Sequence, residues 1–118
     1  MADVTIYHNP LCSKSRAGVQ ALADAGVAAD VVEYLKHPLS RAQLTTLVAG
    51  LEDPPGALVR RDPAFRAAGL AASDVATAEQ VVDVLVEHPA LMERPVIVRG
   101  SRAVIGRPTE RVVPFATS

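Results

Sequence analysis

Cysteine is nearly absent from this 118-residue chain, which contains one, Cys12. A single thiol closes no internal disulfide and builds no Cys-based zinc site. Tryptophan is missing altogether, and aromatic residues make up only 3% of the chain. The core must therefore come from Val, Leu, Ile and Ala, and a hydrophobic share of 49% suffices to build one. Charge of either sign is not in excess, since 12 basic and 13 acidic residues leave a net charge of −1. Nucleic-acid binders and membrane-surface proteins normally carry a basic excess, so neither partner is expected. No basic segment followed by an apolar run marks the N-terminus, and no apolar stretch approaches the roughly 18 residues of a membrane span. The expectation is a soluble, cytoplasmic protein, a single domain over residues 1–118 acting as a monomer, with no bound metal or organic cofactor.

What is present alternates between strand and helix patterns. Val4-Thr5-Ile6-Tyr7 is a β-branched and aromatic run typical of a buried strand, broken by His8-Asn9-Pro10. Ser13 to Ala25 is rich in Ala and stops at Gly26, as helices do. Val31 to Leu35 reads as a second strand, which makes a right-handed parallel βαβ unit. Ser40 caps a helix with Leu44, Leu47, Val48 and Leu51 at helical spacing. Past Pro54-Pro55, short helical pieces are expected at 57–61 and 63–68. Thr77 and Gln80 form a capping box for a helix whose buried face is predicted as Ala78, Val81, Val82, Leu85 and Val86. Residues 96–98 and 103–105 are two strands of a hairpin turning at Arg99-Gly100-Ser101-Arg102. Pro108 is expected to open a short last helix. The class is α/β: a central mixed four-stranded sheet flanked by helices, thioredoxin-like, with a helical insert between the βαβ and ββα halves.

Cys12 falls at the start of the first helix, where unpaired N–H groups and the positive end of the helix dipole stabilise an anion. Such a position can lower a thiol pKa from about 8.5 into a range of roughly 3.5–7.5. Ser15 and Arg16 follow at i+3 and i+4, and Lys14 adds a cation; Arg16 and Lys14 are candidates to support a thiolate or a bound anion. Free cysteines are often buried, inert hydrophobes, but strand-end placement, a helix start and flanking cations favour reactivity here. The residue six after Cys12 is Gly18, which excludes a Cys-x5-Arg phosphate loop. Ser15 stands where a two-cysteine redox site would have its second thiol. A resolving thiol must come from another molecule.

The segment Tyr7-His8-Asn9-Pro10-Leu11-Cys12-Ser13-Lys14-Ser15-Arg16 resembles the active-site segment of the glutaredoxin-coupled arsenate reductases, the ArsC family. The likeness continues through His88-Pro89, Arg94-Pro95 and Arg107-Pro108-Thr109-Glu110 and so covers nearly the whole chain. Ser13 and Lys14 depart from it, replacing small neutral residues of well-known members. The resemblance implies Cys12 as nucleophile, His8 as a neighbour that keeps the thiolate ionised, and Ser15 as a hydrogen-bond donor to it. It also implies Arg60, Arg94 and Arg107 as the substrate-binding set and Pro95 as a structural cis-proline. Arginine suits a tetrahedral oxyanion because its fork offers paired donors and stays charged. On composition alone, Arg60 and its neighbour Arg61 are equal candidates for a solvated helix face. His37 and His88, each before a proline, read as structural.

The implied reaction is reduction of arsenate to arsenite, with an external small thiol (glutathione or an equivalent) as co-substrate and glutaredoxin or an equivalent thiol-transfer protein as partner. The ten Arg against two Lys hint at a G+C-rich genome, and some such bacteria use other small thiols. Two alternatives stand beside it. One is a related glutathione-dependent thiol reductase of another substrate, which the arginine set disfavours. The other is a non-enzymatic regulator like the Spx proteins, which switch through a Cys-x-x-Cys pair that this chain lacks.

Overall fold

Parallel pairing decides where the first two strands stop. In the computed structural model, which describes residues 2–118, Val4–His8 (β1) pairs in parallel with Ala29–Glu33 (β2), with His8 opposite Glu33. On its other side β1 pairs antiparallel with Val96–Arg99 (β3), which turns through Gly100 and Ser101 into Arg102–Ile105 (β4). Gly100 has φ +62°, a conformation that glycine adopts at little cost. The order is β2-β1-β3-β4. This is the α/β, thioredoxin-like arrangement, with β1 and β3 at the centre.

Strand alternation sends side chains to two cores. Val4, Ile6, Ile97 and Val104 pack with Leu22 of the helix Ser13–Asp24 (α1) and with Val112, Phe115 and Ala116 further on. Val96, Ala103 and Ile105 point the other way, onto Arg41–Gly50 (α2), Pro63–Ala67 (α3) and Ala78–Glu87 (α4). These three helices, with short 3-10 turns between them, form the insert between β2 and β3. Both longer insert helices carry a complete capping box, Ser40 with Gln43 and Thr77 with Gln80. Beyond α2 the chain lies along β4: Leu51 pairs with Ala103, Glu52 N–H donates to the Ala103 carbonyl at 2.8 Å, and Asp53 Oδ2 accepts the Ile105 N–H at 2.9 Å. Among the described residues, no helix is long and apolar enough to cross a membrane.

Several expected boundaries move. β2 runs 29–33 rather than 31–35, because its partner β1 ends at His8; Tyr34 to Lys36 form a turn, with Leu35 44% exposed. The expected helical piece at 57–61 is instead a 3-10 turn, Pro55–Leu58, followed by extended Val59, which pairs with Met92. In α4 the buried face holds Val84, while Ala78 and Val86 are exposed. Pro108 precedes a 3-10 turn, Thr109–Arg111, and the last helix (α5) is Val112–Thr117.

Candidate active site

The loop before α1 is shaped by Asn9. Its Oδ1 accepts the Leu11 N–H at 3.0 Å and its carbonyl accepts the Cys12 N–H at 3.0 Å. Asn at the first position and Pro10 at the second suit a β-turn, since the side chain mimics a turn bond and proline presets φ. The turn delivers Cys12 to the cap position of α1 in extended conformation (φ −99°, ψ 122°), with its carbonyl accepting the Arg16 N–H. A cap side chain faces the free N–H groups of the first turn. The thiol itself makes no full cap hydrogen bond. Burial pushes the Cys12 thiol up, but the N–H groups of Ser15 and Lys14 and the Arg94 guanidinium outweigh it, so its pKa falls below the ordinary 9.0. The sulfur in its ionised form is the better cap.

Ser15 is fully buried, and its hydroxyl serves the loop rather than the sulfur. It accepts the Asn9 N–H at 2.9 Å and shares a 2.6 Å hydrogen bond with His8 Nδ1. Ser15 therefore acts on Cys12 through its backbone N–H. Burial pulls His8 below the ordinary 6.5, and Arg16 adds to this, against Glu33 and the Ser15 contact, which pull up. Burial thus disfavours the charged form of His8, whose Nδ1 is engaged by the Ser15 hydroxyl. Arg16 folds back, donating to the Pro10 carbonyl at 2.8 Å, and clamps the turn. The Lys14 side chain is exposed, and its contribution to Cys12 is its backbone N–H.

The arginines arrive from three separate places. Arg107, just past β4, donates from Nη2 to Cys12 Sγ at 3.4 Å and from Nε to the Arg94 carbonyl at 2.8 Å. Arg94, just before β3, gives Nη1 to the Ala90 carbonyl at 3.3 Å; its Nε is buried without a hydrogen-bond partner. Arg107 lies within hydrogen-bond distance of the sulfur, and Arg94 lowers the thiol pKa by side-chain hydrogen bonding as well as by its charge. Arg60 reaches the cluster through the small bridge at Val59: its N–H donates to the Leu91 carbonyl, and the Glu93 N–H donates to the Leu58 carbonyl, both at 2.7 Å. Arg61 is exposed and turns back over Gly56. Of the two, Arg60 is the one brought to the site.

The Arg94-Pro95 peptide bond is cis, as is Arg107-Pro108. Pro95 is buried beneath α1, where a Cβ on Gly18 would come within 2.8 Å of its ring. Only glycine lets the helix carrying Cys12 approach β3 this closely. Arg111 fixes Arg107 from behind, donating to the Arg107 carbonyl at 3.3 Å while pairing with Asp53 at 2.9 Å.

Three further residues belong to the site. Glu93 Oε1 lies 3.4 Å from Arg107 Nε and 3.8 Å from Arg60 Nε, and Asp62 is 3.6 Å from Arg60 Nη1. Tyr34 is buried, donating to the Met92 carbonyl at 3.3 Å; burial pushes its phenol up, although Arg94 and Arg60 pull it down. Glu93 adjoins Arg94 in sequence, and that adjacency was the one signal pointing to it.

Known proteins share this arrangement of the chain. The model of a family described as ArsC matches residues 7–115. An arsenate reductase of Neisseria meningitidis serogroup A is 34% identical over 114 residues, covering 95% of this chain and 97% of that protein. The uncharacterized protein YfgD of Escherichia coli K12 is 38% identical over 113 residues and 94% of each chain. Among solved structures, an arsenate reductase from Vibrio cholerae superposes with a TM-score of 0.83 at 34% identity, over 94% of this chain and 95% of that one.

Proposed function

Because the chain belongs to the ArsC family, we propose that it is an arsenate reductase in which a Cys12 thiolate is the nucleophile. The observation that carries this reading is the Arg107 guanidinium 3.4 Å from Cys12 Sγ, with the unpartnered Arg94 Nε close by. A buried donor without an acceptor costs about 1–3 kcal/mol, an expense that an oxyanion oxygen would offset. Arg60, Arg94 and Arg107 receive the oxyanion and lower the repulsion between it and the thiolate. Cys12 attacks arsenic and displaces one oxygen as water, forming a sulfur–arsenic(V) bond. An external small thiol, glutathione or an equivalent, then bonds its sulfur to that of Cys12. The sulfur–arsenic electron pair stays with arsenic, so As(V) becomes As(III) as the two sulfurs are oxidised to a disulfide. A glutaredoxin-type protein removes the small thiol by exchange and regenerates Cys12. His8 and Ser15 hold the loop, and no metal or organic cofactor takes part.

The single cysteine supports an external thiol, since this chain has no second thiol with which to close the disulfide. The test is reconstitution with arsenate in three arms: glutathione with glutaredoxin, a mycothiol-type system, and thioredoxin with its reductase. Arsenite is expected only in arms containing a small thiol, and turnover with thioredoxin alone would contradict the mechanism. A related thiol reductase of another substrate is the second reading, favoured by the Glu93 carboxylate lying among the arginines. Absence of arsenite in every arm, with Cys12 reactive, would select it.

A further inference from the structure

Glu93 is held where it meets three donors at once. Its Oε1 faces Arg107 Nε at 3.4 Å and Arg60 Nε at 3.8 Å, and accepts the Arg94 N–H at 3.3 Å. The bridge from Leu58–Arg60 to Leu91–Glu93 places Glu93 and Arg60 side by side by backbone bonds. The carboxylate is thus built into the site and is only 21% exposed. Its hold on the side chains is nevertheless loose, since charge-assisted N–H···O bonds close to about 2.7–2.9 Å.

We propose that Glu93 is an internal counter-anion that gathers Arg60 and Arg107 in the empty site and competes with the incoming oxyanion for them, thereby setting oxyanion affinity. The inference rests on the reading that this site takes a tetrahedral oxyanion. Two guanidinium groups repel each other, and a carboxylate between them keeps the set assembled. A doubly charged tetrahedral oxyanion brings more charge and more oxygens than one carboxylate, so it can take the arginines over. Arsenous acid is uncharged at neutral pH and has no such advantage. After reduction Glu93 recovers both arginines and product leaves, which keeps binding from outlasting turnover.

The test compares Glu93→Gln, which keeps the shape and removes the charge, with Glu93→Asp, which keeps the charge and shortens the reach. Protection of Cys12 from iodoacetamide by sulfate, phosphate and arsenate reads affinity without turnover; steady-state kinetics read KM against kcat. Glu93→Gln should bind these oxyanions about tenfold more tightly, with a comparable fall in the arsenate KM. Glu93→Asp should bind no more tightly than wild type. If Glu93→Gln fails to fold, Glu93→Asn removes the same charge and is read the same way. Affinity unchanged or weakened in the neutral variants, or tightened equally in Glu93→Asp, would overturn the proposal. Tighter sulfate binding by Glu93→Gln with no arsenite from any protein would remove the arsenate reading and leave this one standing. Arsenite production by wild type with unaltered oxyanion affinity in Glu93→Gln would do the reverse, and no protection by any anion would sink both.

Discussion

Around Cys12 the shaping contacts are local: the longest, His8 to Ser15, spans seven residues, and hydrogen bonds there measure 2.6–3.0 Å. Around the arginines they are mostly remote, and the ion pairs are slack. Arg107 reaches 13 residues back to Arg94 and 95 to Cys12, and its ion pair with Glu93 measures 3.4 Å. Short-range bonds close with little chain entropy, so the cysteine half forms with its helix. The arginine half exists only once β3, β4 and the insert are in place. Damage to the bonds that shape the Cys12 loop should therefore appear as lost stability, whereas damage to the arginines, or to the Cys12 thiol itself, should appear as lost activity on an intact fold.

The hardest break is Cys12→Ser, which removes the nucleophile; turnover should fall below detection while circular dichroism and the melting temperature stay close to wild type. Next comes Arg107→Lys. Lysine keeps the charge but cannot reach Cys12, Glu93 and the Arg94 carbonyl together, so kcat/KM should drop on the order of 100-fold, about 2.7 kcal/mol. Its urea midpoint should stay near wild type; a large stability loss would erase the distinction between the halves.

Ser15→Ala tests the other half. It strands the buried Asn9 N–H and His8 Nδ1, at a cost of about 1–3 kcal/mol in urea denaturation. A smaller effect of the pH sort follows from Cys12. Its folded pKa lies below the ordinary 9.0, so the ionised form favours the fold: the contribution is complete above the unfolded value and is lost as pH falls through the folded one. Iodoacetamide reactivity should show a midpoint below that of a free cysteine, about 8.5, and a midpoint at or above it would remove the electrostatic case. Smallest of all is Arg61→Ala, expected within about 0.5 kcal/mol of wild type in stability and unchanged in activity. Damage comparable to Arg60→Ala would mean that the cluster has been drawn around the wrong residue.

The same divide explains what could be read from the chain alone. The turn, the helix start and the capped helices rest on neighbours in sequence, so Asn9-Pro10, Cys12, Ser40 and Thr77-Gln80 announce themselves. Boundaries set by partners do not: β2 ends where β1 ends, and Val59 leaves the helical pattern because Met92 pairs with it. Arg60, Arg94 and Arg107 were named through resemblance, not spacing. The resemblance implied Ser15 as a hydrogen-bond donor to the sulfur but not which atom donates: it is the backbone N–H, because His8 and Asn9 occupy the hydroxyl. Glu93 had only its adjacency to Arg94 to mark it, and Tyr34 had nothing, since its partner Met92 is supplied by folding.

The stretch Leu51 to Asp53 laid along β4 has a consequence for how molecules meet in a crowded solution. It occupies the outer rim of β4 with its own pairing, its N–H and a carboxylate, so that rim offers little for a foreign strand to zip onto. The opposite rim, β2, is short and bears Asp30 and Glu33 around the half-exposed Val31. Two such rims approaching each other bring like charges face to face, a device that blunts edge-to-edge aggregation. The sheet is thereby sealed at one border by chain and guarded at the other by acid.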